Sequence, residues 1–209
     1  MVLNLAVMVS GRGSNLEAIA QSIVDKRLDA RIKLVIINND EAKGIDVCKK
    51  YSLNYEIIEH KNLKRQDHEA KVIEKLKSHE LNLIVLAGYM RVLTKDFLNS
   101  FKLDNCDLYP VINIHPSLLP AFPGSNAYEE AFNYGVKVSG ITVHLVDEKV
   151  DNGLIIDQAC FYRDNNDSLD DFKAKGLKVE HELYPKVLQD INKNGIYYQH
   201  KTYYLNQYI

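Results

Sequence analysis

Asn113 and His115 stand two positions apart in the apolar stretch Val-Ile-Asn-Ile-His-Pro. Because side chains alternate along a strand, both would point to one face of a sheet, with Ile112 and Ile114 on the other. Pro116 fixes its own φ and lacks an N–H, so the strand should end just after His115. An amide and an imidazole would then lie at a strand's carboxyl end, where open α/β sheets bind ligands.

An amide N–H and an imidazolium can stabilise a negative charge that develops on a reacting oxygen. A single Asn-x-His pair, however, more often only satisfies hydrogen bonds at a strand end. The next residues, 116–124, read Pro-Ser-Leu-Leu-Pro-Ala-Phe-Pro-Gly. Prolines restrict the backbone, so this loop should form a rigid wall beside the two side chains.

A glycine-rich loop follows the first apolar run of the chain. Ser-Gly-Arg-Gly-Ser-Asn at 10–15 separates that run from an amphipathic stretch. Strand, glycine loop and helix in this order favour a phosphate at the helix N-terminus. The loop lacks the Gly-Lys-Ser/Thr of a Walker motif, and Leu16 replaces the third glycine of the dinucleotide fingerprint, which disfavours a nicotinamide-linked dehydrogenase. The alternative is a tight turn in which Ser14 or Asn15 caps the helix.

Apolar runs of strand length alternate with amphipathic stretches through the first half of the chain, and two antiparallel strands follow. The predicted strands are 3–9, 34–37, 55–58, 83–87, 111–115, 138–146 and 154–162, and the predicted helices are 16–24, 44–50, 64–77, 126–134 and 168–192. This pattern predicts a mostly parallel, twisted open α/β sheet with helices on both faces and a Rossmann-like N-terminal half.

Other segments carry local signals. Ser168 and Asp171 form a capping box before the last helix, which Pro185 should kink or interrupt. Residues 101–109 read as an exposed connector. The tyrosine-rich tail, 196–209, is predicted to be a hairpin that covers one sheet edge. We expect one domain over residues 1–209.

The composition excludes several classes. With 26 basic and 28 acidic residues the net charge is −2, so no overall field attracts nucleic acid. No apolar run approaches a membrane span, and the N-terminus lacks signal-peptide features. The three cysteines share no metal-ligand spacing, which fits a reducing compartment. We therefore expect a soluble cytoplasmic protein that acts on small molecules, without a nucleic-acid, membrane or metal partner.

Five motifs occur in a fixed order. They are Ser-Gly-x-Gly-Ser-Asn-Leu at 10–16, Leu-Ala-Gly-Tyr-Met-Arg at 86–91, Asn-Ile-His-Pro-Ser-Leu-Leu-Pro at 113–120, Phe-Pro-Gly at 122–124, and Gly-x-Thr-Val-His at 140–144 with Asp-x-Gly at 151–153. With these motifs the chain, over about residues 1–185, resembles the phosphoribosylglycinamide formyltransferase family.

The resemblance implies formyl transfer from 10-formyltetrahydrofolate to the amine of glycinamide ribonucleotide in purine synthesis, with no metal. It implies a catalytic trio of Asn113, His115 and Asp151. Asn113 and a charged His115 would stabilise the oxyanion of a tetrahedral intermediate, and Asp151 would assist proton transfer. By itself, the turn that contains Asp151 reads equally well as an ordinary hairpin.

The resemblance also implies binding residues. The ribonucleotide phosphate and ribose would contact Gly13, Ser14, Asn15 and Glu180. The folate would contact Met90, Arg91, Val92, Leu93 and the acidic turn from Asp147, and His144 would orient the site. Arg65, at the start of a helix, is placed in the folate set as a cation for a ligand anion. Residues 1–100 would be the ribonucleotide half, 101–195 the catalytic and folate half.

Three features depart from the family: Arg12, the long connector at 102–109, and the tail after Gly195. They leave monomer and homodimer both open. The alternatives are another formyl-folate enzyme, such as a formyltetrahydrofolate hydrolase or a methionyl-tRNA or sugar formyltransferase, and a non-catalytic nucleotide or folate sensor. The tRNA enzyme is disfavoured because it is a longer chain with an extra C-terminal domain and a basic surface, whereas this chain is slightly acidic. The hydrolase is disfavoured because it carries an extra N-terminal domain, whereas this sheet starts at residue 3.

Overall fold

The computed structural model describes residues 2–103, 108–198, 201–205 and 209. The strands are β1 (Leu3–Val9), β2 (Ala30–Ile37), β3 (Tyr55–Ile57), β4 (Leu83–Leu86), β5 (Val111–His115), β6 (Val138–Leu145), β7 (Ile155–Tyr162), β8 (Ile196–Tyr198) and β9 (Lys201–Tyr203). The helices are α1 (Ser14–Val24), α2 (Gly44–Lys50), α3 (Arg65–Lys77), α4 (Lys95–Asn99), α5 (Ala127–Tyr134) and α6 (Leu169–Asn194).

Seven strands form the main sheet, in the order β3-β2-β1-β4-β5-β6-β7. Strands β1 to β5 are parallel to one another, whereas β6 and β7 are antiparallel to their neighbours. The predicted fold class is confirmed, including the antiparallel return. Because β1 is central and the order reverses beside it, the carboxyl ends of β1, β4 and β5 meet at one edge of the sheet.

Apolar side chains cover both faces of this sheet. One core packs α1, α2, α5 and α6 against it, with Ile112 and Ile114 of β5. The other core packs α3 and α4 against the opposite face, with Val111. The alternation predicted along β5 is therefore confirmed, and it places Asn113 and His115 on the Val111 side.

The segment predicted to be an exposed connector contains buried anchors instead. Phe101, Leu103 and Leu108 are 2%, 8% and 2% exposed, so the apolar residues of this segment pack into the core. Residues 104–107, which include Cys106, lie outside the described residues. The short helix α4, which was not predicted, precedes this segment, and the Thr94 side chain caps it by accepting the Phe97 N–H at 3.2 Å.

Helix α6 runs without a break through Pro185, so the predicted interruption does not occur. Pro185 is buried within a helix that packs against α1, β6 and β7, and this packing outweighs the loss of one backbone donor. The predicted capping box between Ser168 and Asp171 is confirmed. No helix in the described part of the chain is long and apolar enough to cross a membrane.

The tail forms the predicted hairpin, in which β8 and β9 pair with each other as a separate two-stranded sheet. Neither strand is hydrogen-bonded to the edge strands β3 or β7 of the main sheet. Further on, the N–H of Ile209 donates to the carbonyl of Leu81 at 2.8 Å, just before β4. The tail thus reaches the amino end of a central strand, which differs from the predicted edge.

Candidate active site

Asp151 lies beside His115, although 36 positions separate them in the sequence. Oδ2 of Asp151 is 3.3 Å from Nδ1 of His115, and the two side chains are 9% and 5% exposed. The other ring nitrogen, Nε2, is 2.8 Å from the carbonyl oxygen of Phe122. Both ring nitrogens thus face acceptors, an arrangement that a doubly protonated imidazolium satisfies with two N–H groups.

The turn between β6 and β7 places Asp151 with a left-handed backbone, at φ 51°. Its Oδ2 also accepts the N–H of Gly124 at 2.8 Å. A Cβ on Gly153 would lie 1.7 Å from the carbonyl oxygen of Leu145, so only glycine permits this tight return. Asp147 braces the turn by accepting the Lys149 N–H at 2.8 Å and the Asn152 amide at 2.9 Å.

His144 lies opposite Asn113 on the neighbouring strand. Its Nδ1 donates to the Leu145 carbonyl at 2.8 Å, so in the neutral ring Nε2 is an acceptor for the Asn113 amide, 3.4 Å away. Burial lowers the pKa of His144, although the Leu145 bond and the Asp151 charge act in the opposite direction. Nε2 of His144 also lies 3.7 Å from Oδ1 of Asp151.

The proline-rich loop after β5 is held by Thr142 of β6. The Thr142 hydroxyl donates to the Ser117 carbonyl at 2.7 Å and accepts the Leu119 N–H at 3.0 Å. Gln158 of β7 donates to the same hydroxyl at 2.8 Å and to the Leu119 carbonyl at 3.1 Å. These strand-to-loop bonds hold Ser117 and Leu119, in the loop whose Phe122 carbonyl contacts His115.

A cavity of about 420 Å³ opens at the carboxyl end of β4 and β5. The predicted residues that line it are Met90, Arg91, Val92, Leu93, Asn113, His115, His144, Asp147 and Asp151. Val146, Lys149 and Val150 also line it and were missed as individual residues. For Lys149 and Val150 the available signal was their place in the acidic turn, and for Val146 its place at the end of the strand before that turn. Arg65 is the first residue of α3, exposed, and does not line this cavity.

The glycine loop contacts the cavity wall through Ser10, whose N–H donates to the Gly88 carbonyl at 3.1 Å and whose hydroxyl accepts the Met90 N–H at 2.8 Å. The residue before α1 is Gly13, with φ 74° and no side-chain cap, so the alternative in which Ser14 or Asn15 caps the helix is wrong. A Cβ on Gly13 would lie 2.9 Å from the Cα of Gly44, so α2 requires a glycine here.

Asn15 turns its side chain toward α6. Its amide Nδ2 donates to Oε2 of Glu180 at 2.6 Å, and both residues are buried. The structure thus brings Glu180 to the first turn of α1. The backbone N–H groups of a helix's first turn have no acceptor within the helix, so they can face an anion.

Comparison with known proteins shows the family. The formyl transferase family profile matches residues 3–188. The chain belongs to the formyl transferase family. Phosphoribosylglycinamide formyltransferase of Bacillus subtilis is 40% identical over 187 residues, which are 89% of this chain and 93% of that protein. The resemblance to that enzyme group, drawn from the five motifs, is confirmed.

Two further relatives agree. The trifunctional purine biosynthetic protein adenosine-3 of Homo sapiens is 36% identical over 88% of this chain, which spans 18% of that protein's length. The crystal structure of glycinamide ribonucleotide transformylase 1 from Symbiobacterium toebii superposes with a TM-score of 0.87 and 31% identity, covering 98% of this chain and 95% of that one. The formyl transferase is thus similar to these proteins over almost all of its described fold.

Proposed function

We propose that this formyl transferase moves a formyl group from 10-formyltetrahydrofolate to the amine of glycinamide ribonucleotide in purine biosynthesis. The observation that carries the proposal is that Asn113, His115 and Asp151 line one cavity with the loop at 88–93. Relatives named for this reaction support the choice of acceptor. We propose small-molecule substrates only, a monomer or homodimer in the cytoplasm, and no metal in the reaction.

In this proposal the ribonucleotide amine attacks the formyl carbon, and the carbonyl oxygen becomes an oxyanion. The Asn113 amide has two N–H groups, one near His144 and one left for the oxyanion. Nε2 of His115 is held by Phe122, so Nδ1 is the nitrogen left for the reacting group. Its contact with Asp151, at 3.3 Å, is longer than a typical hydrogen bond, so the N–H on Nδ1 can be shared with an oxyanion that binds beside Asp151.

The tetrahedral intermediate collapses when the bond between the formyl carbon and the folate nitrogen breaks. The attacking nitrogen must lose a proton and the departing nitrogen must gain one. Asp151 would assist this transfer, either through a water molecule or by its interaction with a charged His115. The Gly124 N–H on Oδ2 and the glycine at 153 keep its carboxylate in place while the proton moves.

The proposal places the folate in the 420 Å³ cavity. Met90, Val92, Leu93, Val146 and Val150 offer apolar surface to a flat heterocycle, while Arg91 and Lys149 offer positive charge to carboxylates. The ribonucleotide phosphate would bind at Gly13, Ser14 and Asn15, with Glu180 on the ribose. One domain then holds both substrates, and the cavity is lined from both 1–100 and 101–195.

A spectroscopic assay of folate product from 10-formyltetrahydrofolate, with and without glycinamide ribonucleotide, tests the proposal. Turnover that requires the ribonucleotide supports it. Folate product in the absence of any acceptor would instead indicate a hydrolase. No turnover with this acceptor, in a protein that is folded by circular dichroism, would overturn the proposed acceptor.

A further inference from the structure

One carboxyl group joins three elements that are far apart in the sequence. The Tyr128 hydroxyl of α5 donates to Oε1 of Glu180 at 2.7 Å, and the Asn15 amide of α1 donates to Oε2 at 2.6 Å. Glu180, on α6, is 6% exposed. Helix α5 begins shortly after the proline-rich loop, so this chain of bonds connects the catalytic side of the molecule to the glycine loop.

The position of Tyr128 is built into the packing. Its ring meets Phe172 edge to face, with centroids 6.2 Å apart. A Cβ on Gly176 would lie 2.3 Å from the hydroxyl, so this glycine makes room for it. Burial and the Glu180 charge raise the pKa of Tyr128 well above its usual value, so the hydroxyl keeps its proton and remains a donor.

The side-chain oxygen of Asn15 is an acceptor that a ligand could use. The residue is 7% exposed, and its Oδ1 is buried with no hydrogen-bond partner among the residues that the structure describes. A buried acceptor without a donor is unfavourable, which favours a ligand that supplies an O–H or N–H. Glu180 fixes the amide end of the same side chain, so the orientation of Oδ1 depends on where Glu180 is held.

We propose that Tyr128 is a positioning residue for the ribonucleotide: it fixes Glu180, which fixes Asn15 at the first turn of α1. The inference rests on the proposed function, because it takes the ribonucleotide as the ligand of that turn. Tyr128 does not line the 420 Å³ cavity. Loss of its hydroxyl should therefore weaken ribonucleotide binding and leave the chemical step and the folate site unchanged.

Steady-state kinetics of Tyr128→Phe test this inference. We expect the KM for the ribonucleotide to rise about tenfold, as for the loss of one hydrogen bond to a charged group. The kcat and the KM for the formyl-folate should stay within about twofold. Tyr51→Phe is the matched control, because the Tyr51 hydroxyl donates to Gln21 of α1 at 2.9 Å, away from Glu180; it should keep wild-type constants.

Gly176→Ala is a second variant that retains the hydroxyl and displaces it, and it should raise the same KM. Thermal unfolding of each variant is measured in parallel. An unchanged ribonucleotide KM in a folded Tyr128→Phe variant would overturn the positioning role. A fall in kcat together with a similar rise in both KM values would overturn it too. If wild-type turnover does not depend on the ribonucleotide, the proposed function fails first, and the two failures are thereby distinguished.

Discussion

Gly124 donates its N–H to Oδ2 of Asp151 at 2.8 Å, and the same oxygen lies 3.3 Å from Nδ1 of His115. This bond joins the proline-rich loop after β5 to the acidic turn after β6. The position of the carboxylate therefore depends on both segments. The Thr142 hydroxyl fixes the proline-rich loop, and Gly153 permits the tight return of the acidic turn.

The trio itself is tested by His115→Ala and Asp151→Asn. We expect each variant to lower kcat by about two orders of magnitude or more, because each removes charge stabilisation made in the transition state. Thermal unfolding should show that both remain folded. Activity near the wild-type level in either variant would contradict the assigned roles.

The glycine loop is tested by Gly13→Ala, with Gly11→Ala as its control. Gly13 has φ 74° and abuts Gly44, whereas a Cβ on Gly11 meets nothing within 4 Å. Gly13→Ala should raise the ribonucleotide KM about tenfold or more and lower stability by about 1–2 kcal/mol, since it strains the turn before α1. Gly11→Ala should change neither; a normal ribonucleotide KM in a folded Gly13→Ala variant would disprove the role of this loop.

The anchoring of the proline-rich loop is tested by Thr142→Val. This near-isosteric change leaves the Ser117 carbonyl and the Leu119 N–H without their hydroxyl partner and should cost about 1–3 kcal/mol of stability. We expect kcat to fall about tenfold, because the Phe122 carbonyl loses its fixed position. Chemical denaturation and kinetics measure the two effects. Thr202→Val, at an exposed position in β9, should show neither.

Because His144 is buried, the stability of the protein should depend on pH. Because burial lowers the pKa of this histidine below 6.5, the unfolded chain binds the imidazole proton at a higher pH than the folded chain does. Stability should therefore fall as the pH drops below about 6.5, the unfolded value. The charges of Asp151, His115 and Asp147 also influence the pKa of His144. Wild type is therefore compared with His144→Gln, a variant that retains these three charged groups and lacks only the His144 ring.

Urea unfolding of wild type and His144→Gln at neutral pH and at about pH 5 measures this term. Wild type should lose more stability than the variant between the two conditions. His68, whose pKa is also lowered by burial, is present in both proteins, so its contribution to the pH dependence cancels in the comparison. Equal losses in the two proteins would show that His144 does not carry the effect.

The sequence was sufficient for the sheet, since apolar runs and their alternation reflect burial directly. The sequence also predicted that Asn113 and His115 lie at the carboxyl end of a strand, because the proline that follows ends the strand there. It could not predict the bonds of Thr142 and Gln158 to the loop, because these depend on the antiparallel register of β5, β6 and β7. Tyr128 was missed because its partner Glu180 lies 52 residues away, on a helix that meets α5 only in the folded chain.

Formyl transfer is tested most directly by following an isotopically labelled formyl carbon in a single turnover. Wild type, 10-formyltetrahydrofolate and glycinamide ribonucleotide are mixed, and the label is located by mass spectrometry. We expect label on the ribonucleotide amine, with a rate lowered by about two orders of magnitude or more in Asp151→Asn. Label released as formate, or an Asp151→Asn rate equal to that of wild type, would contradict it.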